Sequence, residues 1–446
     1  MKKMKKRLLS IVLAVSIMLP LAACGSSGTA GDTSSQSTAT TGTQSSSGEA
    51  KKLTVWTIVK NEAATAVIND AVANFKKTNN VDVEVQYFEN DPYKTKLKTV
   101  MGSGQAPDIF HSWGGSWLKQ FVDEDQVLEI TDKTTDFKSQ LSEAAWDLDT
   151  FDGKVYGVPY VLTGTVIYYN KALFEKYGLT FPKTWDEMQT VAKTFKDNGI
   201  IPFAMGNKGA WPGAMYYIYQ YIRFGGKDAI ITGLEDKGNG VFDKDAFINA
   251  GKNIKQMVDE GWFPAGTNGI NYDTGGDRML FYSEKAAMML QTGSMSSAAK
   301  DEKPDFYNNN LAVAPFPTVS GGKGTTQETL LGNNAFSVST NCKNPDDAVA
   351  FLKYFTTDKE LNERNANDGG ILVATKDINI KDPIVSGIMD ILSQSTSVQN
   401  FFDQGLPTEV ANAFNQSTQA LIGGQMSPED VYKKCEDTAQ KLLKDK

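Results

Sequence analysis

Two hydrophobic periods alternate along the first part of this 446-residue chain. Lys52 to Val59 is rich in β-branched and aromatic residues and predicts a strand. Ala63 to Lys77 then spaces Ala66, Ile68, Val72 and Phe75 as a helical stripe that Asn79-Asn80 ends. Val81 to Tyr87 alternates with period two, a helix is expected from Pro92 to Met101, and Ala106 to Phe110 begins a third strand. Strands alternating with helices predict an α/β layer with a parallel-rich sheet. Beyond residue 170 the pattern turns helical: Lys171 to Tyr177 stops at Gly178, Trp185 to Asn198 follows Thr184 as N-cap, and Asp243 to Glu260 stops at Gly261. Strand character returns at Leu311 to Pro317 and Asn334 to Ser339, so the chain is expected to leave the first sheet and come back. Asp346 to Phe355, Asn412 to Ile422 and Pro428 to Lys444 read as helices.

The apolar run from Leu8 to Leu21 breaks this scheme. Five basic residues precede it and Leu21-Ala22-Ala23-Cys24 closes it. It is too short to cross a bilayer and reads as a secretory leader, residues 1 to 23. Its ending resembles a bacterial lipobox, which would make Cys24 a lipidated N-terminus; the alternative is an ordinary leader cut near Ala23. Residues 25 to 50 are almost wholly Gly, Ser, Thr, Ala and Gln and cannot bury enough apolar surface to fold. As a flexible linker they reach roughly 30 Å.

The remaining residues exceed one core's usual size, so two lobes are expected. Loss of residues 1 to 23 removes five basic and no acidic side chains, taking the formal charge from −8 to −13. That charge argues against nucleic acid as a partner. The single histidine, His111, removes most triad and metal motifs, and neither a metal nor a cofactor is expected. Glu235 to Gly240 hints at a calcium loop, but Lys237 holds a ligand position, so it reads as a surface turn. Cys342 and Cys435 are either a disulfide or two free thiols.

Gly157-Val158-Pro159-Tyr160-Val161-Leu162-Thr163-Gly164-Thr165-Val166-Ile167-Tyr168-Tyr169-Asn170-Lys171, followed by Phe174 to Gly178 and Pro182 to Glu187, resembles the lobe-to-lobe crossover of the extracellular solute-binding proteins of ABC importers, in their sugar and oligosaccharide branch. Ser103 to Phe110, Phe281 to Met288 with Gly293-Ser294-Met295, Leu331 to Phe336 and Asn344 to Ala348 are similar and in the same order. The resemblance implies an α/β fold of two periplasmic-binding-protein-like lobes with hinge crossovers, one at 52–161 with 315–357 and the other at 162–314 with 358–446. It also implies a monomeric substrate-binding subunit that closes on a carbohydrate and delivers it to an ABC permease; the lipobox and linker would tether it to the outer face of the bacterial membrane.

A sugar offers apolar C–H faces and hydroxyl edges, so its site needs aromatic platforms beside carboxylates and amides. Glu89-Asn90-Asp91, Ser112-Trp113, Trp211 in a Gly-Ala-Trp-Pro-Gly loop and Phe402-Asp403 supply that mixture at interlobe positions. In the family, similarly placed aromatics stack on sugar rings and a carboxylate in the last block accepts hydroxyl protons. The resemblance adds Tyr160, Gly293, Met295 and Asn333. Trp56, Trp117, Trp146, Trp185 and Trp262 are assigned to core or surface. Other readings are a non-sugar solute, a sensor co-receptor, and a glycoside hydrolase with Glu89 or Asp91 facing Asp403.

Overall fold

A computed structural model describes residues 51–238 and 240–445. The leader, Cys24 and the linker lie outside the described residues. The ordering strands are β1 (Lys51–Thr57), β2 (Val81–Tyr87), β3 (Ile109–Ser112), β4 (Val158–Leu162), β5 (Thr165–Asn170), β6 (Ile201–Phe203), β7 (Ala286–Thr292), β8 (Leu311–Ala314), β9 (Glu328–Leu330), β10 (Asn333–Val338) and β11 (Ser397–Gln399). One sheet runs β2-β1-β3-β10-β4, with β1 parallel to β2 and β3 and with β10 antiparallel to both its neighbours. The other runs β8-β5-β7-β6, where only β6 and β7 are parallel. The parallel expectation holds for β1, β2 and β3, from which it was drawn; β10 and β4 extend that sheet antiparallel, and the second sheet's strands are mostly antiparallel.

Helices cover both sheets. Helix α1 (Glu62–Asn79) starts where Asn61 Oδ1 accepts the Ala64 N–H, 2.9 Å, and stops at Asn80, whose left-handed φ of 54° ends the spiral. It buries Ala64, Val67, Ile68, Ala71 and Phe75, so the stripe keeps Ile68 and Phe75 while Ala66 faces solvent. The helix Trp185–Asp197 opens on a capping box between Thr184 and Glu187. Helix α2 (Asn90–Gly102) belongs to the first lobe, and α3 (Trp211–Gly225) and α4 (Ser294–Glu302) to the second. Among the described residues no helix is long and apolar enough to cross a membrane.

The chain re-enters the first sheet later than residue 315. Residues 315–332 stay with the second lobe because Phe316 stacks on Tyr219, with ring centres 4.8 Å apart, and on Trp185, 5.8 Å. The return to the first sheet begins at β10. Residues 358 to 376 touch both lobes: Leu361 joins the first lobe's core, Thr375 Oγ1 donates to Thr356 O at 2.7 Å and the Lys376 N–H bonds Gln140 O, while Leu372, Val373 and Ala374 pack with Tyr168 and Met295 of the second. The helix Pro383–Ser393 packs on β8, and the closing helices Thr408–Ile422 and Pro428–Lys444 join the second lobe's core. Cys342 and Cys435 are both free, the first against the first lobe's core and the second inside the other's.

The crossings lie side by side. β4 leads into β5 and β9 into β10, and β9 pairs in parallel with β11. The backbone passes close to its neighbours at Gly332, where a Cβ would come 2.6 Å from Gln404 Oε1 and 2.9 Å from Thr163 Oγ1. Helix α3 holds the crossings from the second lobe. The hydroxyl of Tyr219 donates to Thr165 O at the start of β5 and accepts the Leu330 N–H of β9 at 3.3 Å. Gln399 on β11 bonds both the N–H and the carbonyl of Ile231, at 2.8 and 2.9 Å.

Tyr219→Phe removes the hydroxyl and leaves both buried backbone groups unpaired. The expected loss is about 1–3 kcal/mol, read as a lower urea midpoint at unchanged slope.

Candidate functional site

A cleft of about 430 Å³ opens between the lobes. The first lobe contributes the β1–α1 loop from Ile58 to Asn61, the start of α2 with Glu89, Asn90 and Lys94, and Trp113 just after β3. The second lobe contributes one face of α3: Trp211, Ala214, Met215 and Ile218 recur at the spacing that puts them on one side of a helix. Tyr272, Asp273, Gly293 and the exposed side of α4 complete that wall, and Tyr160, Asn334 and Asp403 lie at the hinge.

The aromatic surfaces are held from behind. Trp113 is 6% exposed and meets His111, Trp117 and Tyr93 edge-on, with ring centres 4.5, 4.7 and 5.9 Å away. Lys94 Nζ stands 4.9 Å from the centre of the Trp113 ring. Across the cleft Trp211 and Tyr272 form an edge-to-face corner at 4.8 Å. Trp211 is the first residue of α3 rather than part of a loop, because Pro212 suits the first turn. Before it Ala210 takes a φ of 65°, a strained value for alanine that sets the direction in which the indole enters. Tyr160 stacks on Phe336 at 4.6 Å, and its hydroxyl lies 3.0 Å from His111 Nδ1. Burial pulls His111 down to about 3, so the chain's one imidazole is neutral at physiological pH and supports the aromatic floor.

Four of the eight charged residues lining the cleft are paired with one another. Arg278 holds Glu302 through two bonds, Nη2 to Oε1 at 2.7 Å and Nε to Oε2 at 2.9 Å, and Tyr282 donates to the same carboxylate at 3.0 Å. Lys60 pairs with Glu89. Burial pushes the carboxyls of Asp403 and Asp273 up from their ordinary range, and the Lys94 charge pulls each back. Among the described residues no group of acidic, histidine or cysteine side chains is arranged to hold a metal ion. The Glu235–Gly240 stretch is a turn in which Asp236 Oδ1 accepts the N–H groups of Gly238 and Gly240.

Of the residues singled out from sequence, Glu89, Asn90, Trp113, Tyr160, Trp211, Gly293 and Asp403 line the cleft. The others have different work. Ser112 is the last residue of β3 and fully buried, its Oγ 2.8 Å from Ser337 Oγ. Met295 points into the second lobe's core, so Gly293 and Ser294 face the cleft instead. Phe402 packs against Phe414 at 4.8 Å within the short helix Phe402–Gly405, while Phe401 and Asp403 on either side reach the cleft. Asp91 sits at the lip, where its N–H donates to Asp273 Oδ2 and its carboxylate lies beside Gly209 of the second lobe. Asn333 is fully buried: it accepts from Gly114 N at 3.2 Å and donates to Ala145 O and Asp149 Oδ2. Strand alternation hands its place on the cleft to Asn334.

Lys60, Asn61, Lys94, Tyr272, Asp273 and Arg278 were missed. The Tyr272-Asp273 pair before Gly275-Gly276 carries the same aromatic-plus-carboxylate signal that marked the other loops. The lysines and arginine carry no such mark, since their place depends on how the lobes meet.

Residues 58–361 match the family model described as bacterial extracellular solute-binding protein. A solved structure from work titled as insights into xylan utilization by the thermophilic bacterium Caldanaerobius polysaccharolyticus superposes with a TM-score of 0.80 at 32% identity, covering 86% of this chain and 99% of that one. A chitin oligosaccharide binding protein superposes at 0.79 with 24% identity over 88% and 99%, a likeness of fold. In sequence, the galactooligosaccharide-binding protein of Bacillus subtilis (strain 168) is 24% identical over 100% of this chain and 99% of its own length.

Asp149 gives a pH prediction. It is fully buried, its Oδ1 has no partner, and burial pushes its carboxyl up to about 8 while the Asn333 bond opposes that. An acid whose folded value lies above its unfolded value takes up a proton on folding, so its contribution weakens as pH rises from about 4 to 8. Asp149→Asn keeps the bond to Asn333 and removes the titration. Melting curves from pH 5 to 9 should show the variant gaining on the parent as pH rises, by at most ~1.4 kcal/mol per unit. A constant difference across that range refutes the assignment.

Proposed function

We propose that this chain, which belongs to the bacterial extracellular solute-binding proteins, traps a neutral oligosaccharide between its lobes and hands it to an ABC permease. The observation that carries this reading is the cleft itself: Trp113 on one lobe faces the Trp211–Tyr272 corner of the other, with carboxylates and amides between them. Ring faces cover the C–H surfaces of a sugar, and Asp403, Asp273, Asn61, Asn90 and Asn334 offer the hydrogen bonds its hydroxyls need. The cleft volume falls within the ordinary range for small-molecule sites.

Charge sets the selectivity. Arg278 and Lys60 are committed to Glu302 and Glu89, which leaves no cluster of free cations for a phosphate or sulfate among the described residues lining the cleft. The cleft's carboxylates serve as hydrogen-bond acceptors rather than as a hydrolytic pair: Glu89 is held by Lys60, and Asp91 Oδ1 accepts from Asn90 Nδ2 at 2.9 Å. The family works outside the cytoplasm, and the Leu21 to Cys24 sequence adds a lipid anchor that keeps the receptor within a linker's reach of the membrane. The trap acts as a monomer.

Intrinsic fluorescence titrations test the reading, since Trp113 and Trp211 both face the cleft. Neutral di- and trisaccharides, with xylo-oligosaccharides and chitin oligosaccharides first, should shift the emission, and hexose phosphates should not. Trp211→Ala is expected to weaken binding at least tenfold, about 1.4 kcal/mol. A response confined to phosphate esters, peptides or polyamines would remove the carbohydrate reading.

A further inference from the structure

Helix α2 starts at the cleft mouth without a cap of its own. Glu89 occupies the capping position but makes no side-chain bond to the helix, because Lys60 holds its carboxylate. The Asp91 N–H is one of the first-turn donors that have no partner inside a helix. It donates across the mouth to Asp273 Oδ2 of the second lobe, 3.1 Å away. The positive end of α2 favours a carboxylate there.

Asp273 is held for this task. Asn271 Oδ1 accepts its N–H at 2.8 Å, and the neighbouring Tyr272 belongs to the Trp211 corner. Its side chain lines the cleft, and among the described residues Oδ1 makes no hydrogen bond. The lobes also touch nearby. Asn61 Nδ2 donates to Ser297 O at 3.1 Å, and a Cβ on Gly209 would stand 2.9 Å from Asp91 Oδ2. A glycine at 209 thus lets the second lobe's loop approach α2.

We propose that Asp273 couples capture to closure, one carboxylate oxygen capping α2 of the opposite lobe while the other accepts a hydroxyl of the bound solute. The inference rests on the cleft being the ligand site. A carboxylate has acceptor capacity for both bonds at once. A ligand hydroxyl on Oδ1 fixes the carboxylate in the rotamer that reaches Asp91, so occupancy favours the closed form through a differential contact, as a shift of equilibrium requires.

Amide hydrogen exchange and ligand release together test this in the full chain, with Asp273→Ala and Asp273→Asn beside the parent. In ligand-free Asp273→Ala the Asp91 amide should exchange at least tenfold faster while the rest of α2 is unchanged, which separates loss of a cap from unfolding. Release of a sugar that binds the parent should also quicken at least tenfold. Asp273→Asn retains an acceptor for Asp91 and should keep the slow exchange, yet release its sugar faster because an amide replaces the free oxygen. Equal Asp91 exchange in parent and Asp273→Ala overturns the cap, and unchanged release overturns the coupling. A parent that binds no sugar defeats the functional reading and the coupling with it, while the ligand-free exchange still decides the cap.

Discussion

A buried guanidinium without a carboxylate to meet it holds the hinge together. Arg223 is fully buried on α3 and forms no ion pair among the described residues. Its donors go to carbonyls instead: Nε and Nη2 to Phe316 O, Nε also to Pro317 O, and Nη1 to Glu328 O at 2.8 Å. Burial pulls its pKa down to about 10, which leaves it charged at neutral pH. A cation in the interior is costly unless its protons are matched. Here the match is made with the backbone of the segment that leads into the second crossing. Tyr219, one turn earlier, lies under the guanidinium at 5.2 Å and bonds the start of the first crossing. The same helix carries Trp211, Ala214, Met215 and Ile218 on the cleft. Cleft wall and hinge anchor are therefore opposite ends of one helix, and the wall cannot shift without the crossings.

That arrangement explains which parts of the molecule were readable in sequence. Period-two alternation at Val81 to Tyr87 and the Thr184 cap of the next lobe's first long helix depend on neighbours a few residues away, and both stand as expected. Helix α3 was not recognised because nearly all of it is buried, so it has no polar face to reveal a helical period. Its start was read as a Gly-Ala-Trp-Pro-Gly loop for the same reason. The lobe boundary was misplaced by strand-like residues at 315–317, whose partners are Tyr219, Trp185 and Arg223, a hundred residues away.

The site was half legible for a related reason. Aromatics and acids beside glycines mark loops, and such loops do reach the cleft at Trp113, Trp211 and Asp403. Whether a residue in such a loop faces the cleft or the core is decided by one step along the backbone. Asn333 and Asn334 differ by that step, as do Phe402 and Asp403. The charges were the least legible. The formal net charge of −8 says little about a cleft in which Arg278 and Glu302, 24 residues apart, cancel through two short bonds.

Magnitudes decide what can close such a trap. The lip bonds from Asn61 to Ser297 and from Asp91 to Asp273 are partly buried, and bonds of this kind contribute about 0.5–1.5 kcal/mol each. Moving a two-state equilibrium from 1:99 to 99:1 takes about 5.5 kcal/mol. Two such bonds fall short of that, so the lip can tune closure without locking it. The remainder has to come from a solute that touches both lobes at once, and the facing aromatic walls provide for this: Trp113 is fixed by the first lobe and the Trp211–Tyr272 corner by the second. A ligand resting on only one of these surfaces gains little from closure. One that spans both gains the second contact only when the lobes meet, which ties selectivity to size as well as to hydroxyl pattern.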